Sequence, residues 1–349
     1  MDAISDPTFQ NTKVLSLLPE ETPSLLAVIV DTAPRFWTEL DKEMNQEDSI
    51  ITVIQSLVVL LNAHLAFNNA NRVAVIAAHS QGIKYLYPSS GVNTSKSSDE
   101  DSDVAAEKNG KKEKKDLSII NSEMYRQFRS VDETLVEELY RLFQEEKKQV
   151  DEITHKSTLS GAMSAGLTYI NKTSRDLETL SLKSRLLVLT CGSSSSRNEI
   201  FQYIPIMNCI FTATKMKCPV DVVKIGGSKD STFLQQATDA TNGVYLHVES
   251  TEGLIQYMTT AMFIDPSLRQ TIVKPNSGSV DFRTSCYLTG KVVAIGFICS
   301  VCLCVLSIIP PHNKCPACDS EFDERVIAKL KRNPVLPGMT KRVKKKVMK

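Results

Sequence analysis

Apolar residues along this chain fall into two rhythms. Some form short unbroken runs. Others recur every three or four positions. Ser24–Asp31, Arg185–Thr190, Val220–Ile225 and Val244–Val248 are of the first kind. Continuous apolar runs of this length predict strands buried on both faces. Ser49–Phe67 is of the second kind. Its apolar residues Ile50, Ile54, Leu57, Leu61 and Leu65 lie on one face of a 3.6-residue period, and Asp48 or Ser49 can cap the start. Gln55, Asn62 and His64 make it a poor membrane span. Helical stretches are also expected at 131–149, 157–171, about 204–216, 231–240 and 252–263. Arg72–Ser80 and Ile83–Tyr87 flank a "QG" pair and read as a hairpin. Strands alternating with helices predict an α/β fold: a mostly parallel sheet covered on both faces, with one antiparallel edge from the hairpin.

Residues 89–116 break the rhythm. They hold no aromatic residue and almost nothing apolar to bury, so they read as a disordered insertion, acidic first and basic after. The remaining expected boundaries are an N-terminal extension at 1–23, an α/β domain at 24–264, a linker at 265–281, a small module at 282–328 and a basic tail at 329–349. The tail, "KLKRNPVLPGMTKRVKKKVMK", suits either contact with nucleic acid or a nuclear address, or is simply a frayed end. The N-terminal residues are too polar for a secretory leader. The formal net charge of +1 over 349 residues excludes nothing by itself, because the charge is unevenly placed.

Five of the nine cysteines crowd into 299–318. Cys299 and Cys302 form one Cys-x-x-Cys pair, and Cys315 and Cys318 form a second, with twelve residues between the pairs. Two intervening residues let a tight turn aim both sulfurs at one ion, and thiolates suit zinc. One structural Zn2+ held by Cys299, Cys302, Cys315 and Cys318 is therefore expected. Cys304 lies near enough to compete as a ligand, but its spacing is wrong for the pair and it is expected to be a packed thiol; Cys286 is a weaker outsider. Val292–Ile309 is eighteen residues without a charge, the usual flag for a membrane helix. It is short for that role and rich in β-branched residues, and it contains only one of the two cysteine pairs. Strands folded around zinc account for all four cysteines, so no membrane contact is expected.

Catalytic signatures are missing. There is no GxxxxGK[ST] phosphate loop, no HExxH and no GxSxG. "GGSK" at 226–229 and "CGSSSS" at 191–196 read as turns at strand ends, and His64, His79 and His247 as packed residues.

"AVIVDTAPRF", "STLSGAMSAGL" and "RLLVLTCGS" resemble the three strand-end segments of the von Willebrand factor A domain. The resemblance implies a Rossmann-type sheet with a metal site built from an Asp-x-Ser-x-Ser loop, a distant threonine and a second aspartate. Asp31 matches the first aspartate, and Thr158 the threonine. Ala33 and Arg35 stand in place of the serines, and Cys191 in place of the second aspartate. These exchanges remove the oxygen ligands that magnesium needs, so the site is expected to be degenerate and empty, with no Mg2+. Asp31 is then left to pair with Arg35 or to cap backbone donors of the next turn. Together with "FRTSCYLTGKVVAIGFICSVCLCVLSIIPPHNKCPACDSEF", these segments resemble the small A-domain, zinc-finger core subunits of general transcription factor TFIIH, fungal members above all. That resemblance implies a non-catalytic nuclear scaffold in RNA polymerase II initiation and nucleotide excision repair. Its implied partners are the other core subunits, chiefly a larger A-domain and zinc-finger subunit, and through them the polymerase machinery. Direct DNA contact stays open. The competing readings are a metal-dependent ligand-binding A domain, a nucleic-acid binder using the zinc module and tail, and an enzyme with a degenerate nucleotide crevice.

Overall fold

The structure is a computed structural model. It describes residues 22–44, 49–89, 125–148, 158–176, 182–191, 196–227, 230–266, 268–273, 275, 280, 282–289, 291–310 and 312–330. Apart from Ser89, the expected insertion lies outside these residues. So do positions 1–21 of the N-terminal extension and the tail from 331 onward. The chain divides into two compact units between Phe282 and Arg283.

The first unit is built on six strands: β1 (Ser24–Asp31), β2 (Arg72–His79), β3 (Gly82–Tyr87), β4 (Lys183–Thr190), β5 (Val220–Ile225) and β6 (Tyr245–Val248). Their order across the sheet is β3-β2-β1-β4-β5-β6. Every neighbouring pair is parallel except β2–β3, the expected hairpin edge. β1 lies at the centre, with Val28 opposite Val75 on one side and Leu187 on the other. Successive side chains of a strand point to opposite faces, and β1 feeds two cores accordingly. Leu26, Val28 and Val30 join one cluster, and Leu25, Ala27 and Ile29 the other.

Helices α1 (Pro34–Met44), α2 (Ser49–Phe67) and α3 (Arg126–Lys148) pack on the first face with α7 (Leu254–Tyr257) and the π turn Met258–Met262 that continues it. Helices α4 (Leu159–Asp176), α5 (Ser196–Lys215) and α6 (Thr232–Ala240) cover the second face. α2 is long and apolar enough to cross a membrane, but Val53, Leu57, Leu60, Leu61 and Leu65 are buried in the core. α4 approaches the sheet closely. A Cβ at Gly166 would lie 2.9 Å from Leu186 Cδ1, so glycine is what permits that packing.

Two helices depart from the sequence expectation. α1 was not anticipated; it opens with Pro34 at the first helical position, where proline's missing N–H costs nothing. α5 begins at Ser196 and runs through Pro205, where the sequence suggested a start near 204.

Beyond the π turn, the segment expected to be a linker opens with a helical turn, Leu268–Gln270, that is fastened to the first unit. Arg269 reaches back to Asp221 at the start of β5 with two bonds of 2.6 and 2.7 Å, and both side chains are buried. Asp221 also accepts the Val244 N–H at 2.9 Å.

Among its described residues the second unit has two small antiparallel pairs, β7 (Thr284–Ser285) with β8 (Val292–Val293) and β9 (Phe297–Ile298) with β10 (Val305–Leu306), followed by α8 (Glu324–Leu330). The uncharged run Val292–Ile309 is thus cut into short strands and turns and forms no membrane helix.

Candidate metal centre and A-domain ligand site

The two Cys-x-x-Cys turns of the second unit repeat one geometry. In the first, the Leu303 N–H donates to the Cys299 carbonyl and the Cys299 N–H to the Cys304 carbonyl, both at 3.0 Å. In the second, Asp319 N–H donates to Cys315 O and Cys315 N–H to Ser320 O, both at 2.9 Å. The residue after each pair, Leu303 or Asp319, takes a positive φ, near 61° and 56°. That left-handed step folds the chain back over the sulfurs and fixes the cysteine side chains on one side.

The turns face each other and bring all four sulfurs within 4.8 Å of one another. Cys299 Sγ lies 3.8 Å from Cys318 Sγ, and Cys302 Sγ lies 3.6 Å from Cys315 Sγ. Four sulfurs about 2.3 Å from a tetrahedral zinc stand about 3.8 Å apart, so the donor set and its spacing fit that ion. The expected ligands Cys299, Cys302, Cys315 and Cys318 are therefore brought together. Burial works against ionising Cys299, but the N–H groups of Cys302 and Val301 and the Ser320 hydroxyl outweigh it and bring the thiol down to about 6. Ser320 Oγ stands 3.4 Å from Cys299 Sγ and 3.1 Å from Cys318 Sγ. Sequence reasoning missed this hydroxyl; its place directly after a turn residue was the available signal. Cys286 stays outside the cluster, where its sulfur accepts from the Ser307 N–H and hydroxyl, each at 3.1 Å.

The A-domain ligand site lies at the carboxyl ends of β1 and β4. Asp31 is buried there, its carboxylate already engaged by protein. Ala33 N–H donates to Oδ1 and the Thr190 hydroxyl to Oδ2, each at 3.2 Å. Trp37 of α1 donates its ring N–H to the Asp31 carbonyl at 2.8 Å, which locks the turn from β1 into α1. Burial raises the Asp31 carboxyl from 3.8 to about 6, against the lowering effect of the Ala33 N–H and the Thr190 hydroxyl. Of the two roles expected for Asp31, it takes the backbone cap. Arg35 is exposed and pairs with Glu39 at 3.1 Å. The Thr158 hydroxyl donates to the His79 carbonyl at 2.8 Å. Cys191 is buried, and burial together with the Asp31 charge pushes its thiol well above the ordinary range. The positions that the resemblance matches to oxygen ligands thus carry a methyl, a guanidinium turned to Glu39 and a thiol, a donor set that does not suit magnesium. Thr190 escaped sequence reasoning because it precedes by one position the slot in which the family carries its second aspartate.

A mostly parallel α/β sheet followed by a four-thiol module defines a von Willebrand A-like protein with a C-terminal unit whose four cysteines could hold a metal ion. The model of the transcription factor Tfb4 family matches residues 23–319, and the chain belongs to that family. It is 70% identical over 349 residues, the whole of both chains, to general transcription and DNA repair factor IIH subunit TFB4 of Saccharomyces cerevisiae. General transcription factor IIH subunit 3 of Dictyostelium discoideum is 32% identical over 274 residues, covering 78% of this chain and 68% of that relative. Among solved structures, the crystal structure of the TFIIH p34 N-terminal domain matches with a TM-score of 0.50 and 29% identity, covering 68% of this chain and 97% of that one. The TFIIH-subunit family expected from the sequence is thus the family found.

Proposed function

We propose that this chain is a non-catalytic scaffold subunit of the TFIIH core. It serves RNA polymerase II transcription initiation and nucleotide excision repair in the nucleus. It acts by protein contacts, chiefly with a second, larger A-domain and zinc-finger subunit. Cys299, Cys302, Cys315 and Cys318 hold one zinc, and the A-domain site holds no magnesium. Four thiolates complete the coordination of zinc, so the centre is structural and supplies folding energy to a unit too small for a large core.

The observation that carries the scaffold reading is the apolar surface of the metal unit. Ile295 is 92% exposed, Val301 68%, Ile298 66% and Ile308 65%. All four lie within fourteen residues of one small unit, and exposed apolar surface of this kind marks protein interaction sites. The test is co-expression of the full chain with the larger A-domain subunit, comparing wild type with an Ile295→Asp, Ile298→Asp variant and measuring metal content alongside. The expected result is one zinc and no magnesium in both proteins, with co-purification lost in the variant. Undiminished co-purification removes this surface as the contact. Bound magnesium makes Asp31 a working ligand and moves the reading to metal-dependent recognition.

A further inference from the structure

The two cysteine turns are equivalent residue by residue: Cys299 with Cys315, Cys302 with Cys318, Leu303 with Asp319, and Cys304 with Ser320, as their matching hydrogen bonds and positive-φ steps require. Positions 304 and 320 also make equivalent contacts across the cluster. Ser320 Oγ touches the first cysteine of the opposite turn, Cys299, at 3.4 Å. Cys304 Sγ touches the first cysteine of its opposite turn, Cys315, at 3.3 Å. The chemistry at the two positions differs. Serine offers a hard hydroxyl, which donates to thiolates but ligates zinc poorly, whereas cysteine offers a soft thiolate.

From this asymmetry we infer that Cys304 is a reserve ligand of the metal centre, placed to take over the coordination position of Cys302. The inference rests on the zinc reading above and extends it to a residue outside the expected ligand set. Three features carry it. Cys302 and Cys304 flank the same partner, at 3.6 and 3.3 Å from Cys315 Sγ, so replacing one by the other preserves an edge of the tetrahedron. Cys304 is fully buried and therefore already desolvated, whereas Cys302 is only half-buried. The more exposed member of the pair is the one that a peroxide reaches first, and its loss leaves a protected thiol in contact with Cys315, one of the three remaining ligands. The exchange is balanced: the Cys304 thiol gives its proton to solvent and binds as thiolate, while the departing Cys302 sulfur either takes up a proton or, when a peroxide has oxidised it, leaves as sulfenic acid with the peroxide reduced to water. The second turn has no such reserve, because Ser320 occupies the equivalent place.

The test uses the full chain loaded with Co2+ as a spectroscopic stand-in for zinc. The near-ultraviolet thiolate-to-cobalt absorption reports the number of sulfurs bound, and competition with a chelator reports affinity. Four variants are compared with wild type: Cys302→Ser, Cys318→Ser, Cys304→Ser and the Cys302→Ser, Cys304→Ser pair. Cys302→Ser is expected to keep one metal and a four-sulfur spectrum, whereas Cys318→Ser falls to three sulfurs and loses at least tenfold in affinity. Cys304→Ser alone keeps four sulfurs, and the double variant falls to three. Equal three-sulfur spectra for Cys302→Ser and for the double variant overturn the reserve ligand while leaving the zinc reading intact. A wild-type chain that binds no metal overturns the zinc reading itself.

Discussion

Asp31→Asn separates a surviving metal ligand from a buried structural carboxylate, and the two cases have opposite signs. The folded pKa is about 6 against an ordinary 3.8. Below about pH 3 the group is mostly protonated in both folded and unfolded chains and costs little. As pH rises toward 6 the unfolded chain releases its proton first, so stability is lost progressively and the loss is complete by about pH 7. At 1.36 kcal/mol per pK unit, a shift of roughly two units costs about 3 kcal/mol there. Asparagine removes the ionisation and keeps the shape. Its carbonyl still accepts the Ala33 N–H, and its amide faces the Thr190 hydroxyl, which turns to accept. Losing the charge from those two bonds costs about 1 kcal/mol or slightly more. The variant is therefore expected to be more stable than wild type by about 1–2 kcal/mol at pH 7.5. Urea unfolding of the full chain at pH 5, 6, 7 and 8, with and without magnesium, measures this. The gap between variant and wild type should widen from pH 5 to 7, then stay level, and be indifferent to magnesium. A variant less stable than wild type at pH 7.5, with a deficit that grows in magnesium, refutes the reasoning.

Other consequences follow from single contacts. Arg269→Met leaves Asp221 charged and buried, so unfolding free energy should fall by about 3–5 kcal/mol; adding Asp221→Asn, which keeps the acceptor for Val244 N–H, should recover part of that loss in a double-mutant cycle. Gly243→Ala places a Cβ 1.8 Å from the Val220 carbonyl oxygen, a backbone atom that cannot move aside, and should lower the urea midpoint by the equivalent of about 3 kcal/mol. Ser320→Ala removes the hydroxyl that touches Cys299 and Cys318 and should weaken metal binding about tenfold in chelator competition, with one metal still bound per chain.

Features set by local pattern could be read from the sequence, and features set by distant pairing could not. Four of the five parallel strands were legible as apolar runs because burial on both faces favours apolar residues, as in "LLAVIV" of β1, and β2 was legible as half of the hairpin. The cysteine pairs were legible because their spacing alone fixes the turn. α1 was obscured by its proline and by a sequence, "PRFWTELDKEM", whose one buried face is narrow. The Asp221–Arg269 pair joins residues 48 positions apart, and neither local context singles them out. At the A-domain site, Ala33, Arg35 and Cys191 could be named from the resemblance as positions without an oxygen ligand. What replaced those ligands could not, because Thr190 meets Asp31 only when β4 is laid beside β1. The matching of Cys304 to Ser320 was likewise invisible until the two turns could be superimposed through their hydrogen bonds.

The persistence of Asp31 has a physical explanation that does not require a metal. A leucine or alanine at that position would leave the Ala33 N–H and the Thr190 hydroxyl buried without their acceptor, each at about 1–3 kcal/mol. Ionisation of the aspartate costs about the same as one or two such orphaned donors. Aspartate is thus held in place by the turn it caps, and its retention is no argument for bound magnesium. The cysteine centre differs in kind. Removing one of its ligands leaves no backbone role to compensate, since the sulfurs meet chiefly one another. Sequence drift can therefore strip an A-type site down to a single aspartate and keep the fold. On the zinc reading proposed above, the same drift at Cys299, Cys315 or Cys318 would cost the small unit its metal, and with it the fold that presents the apolar surface.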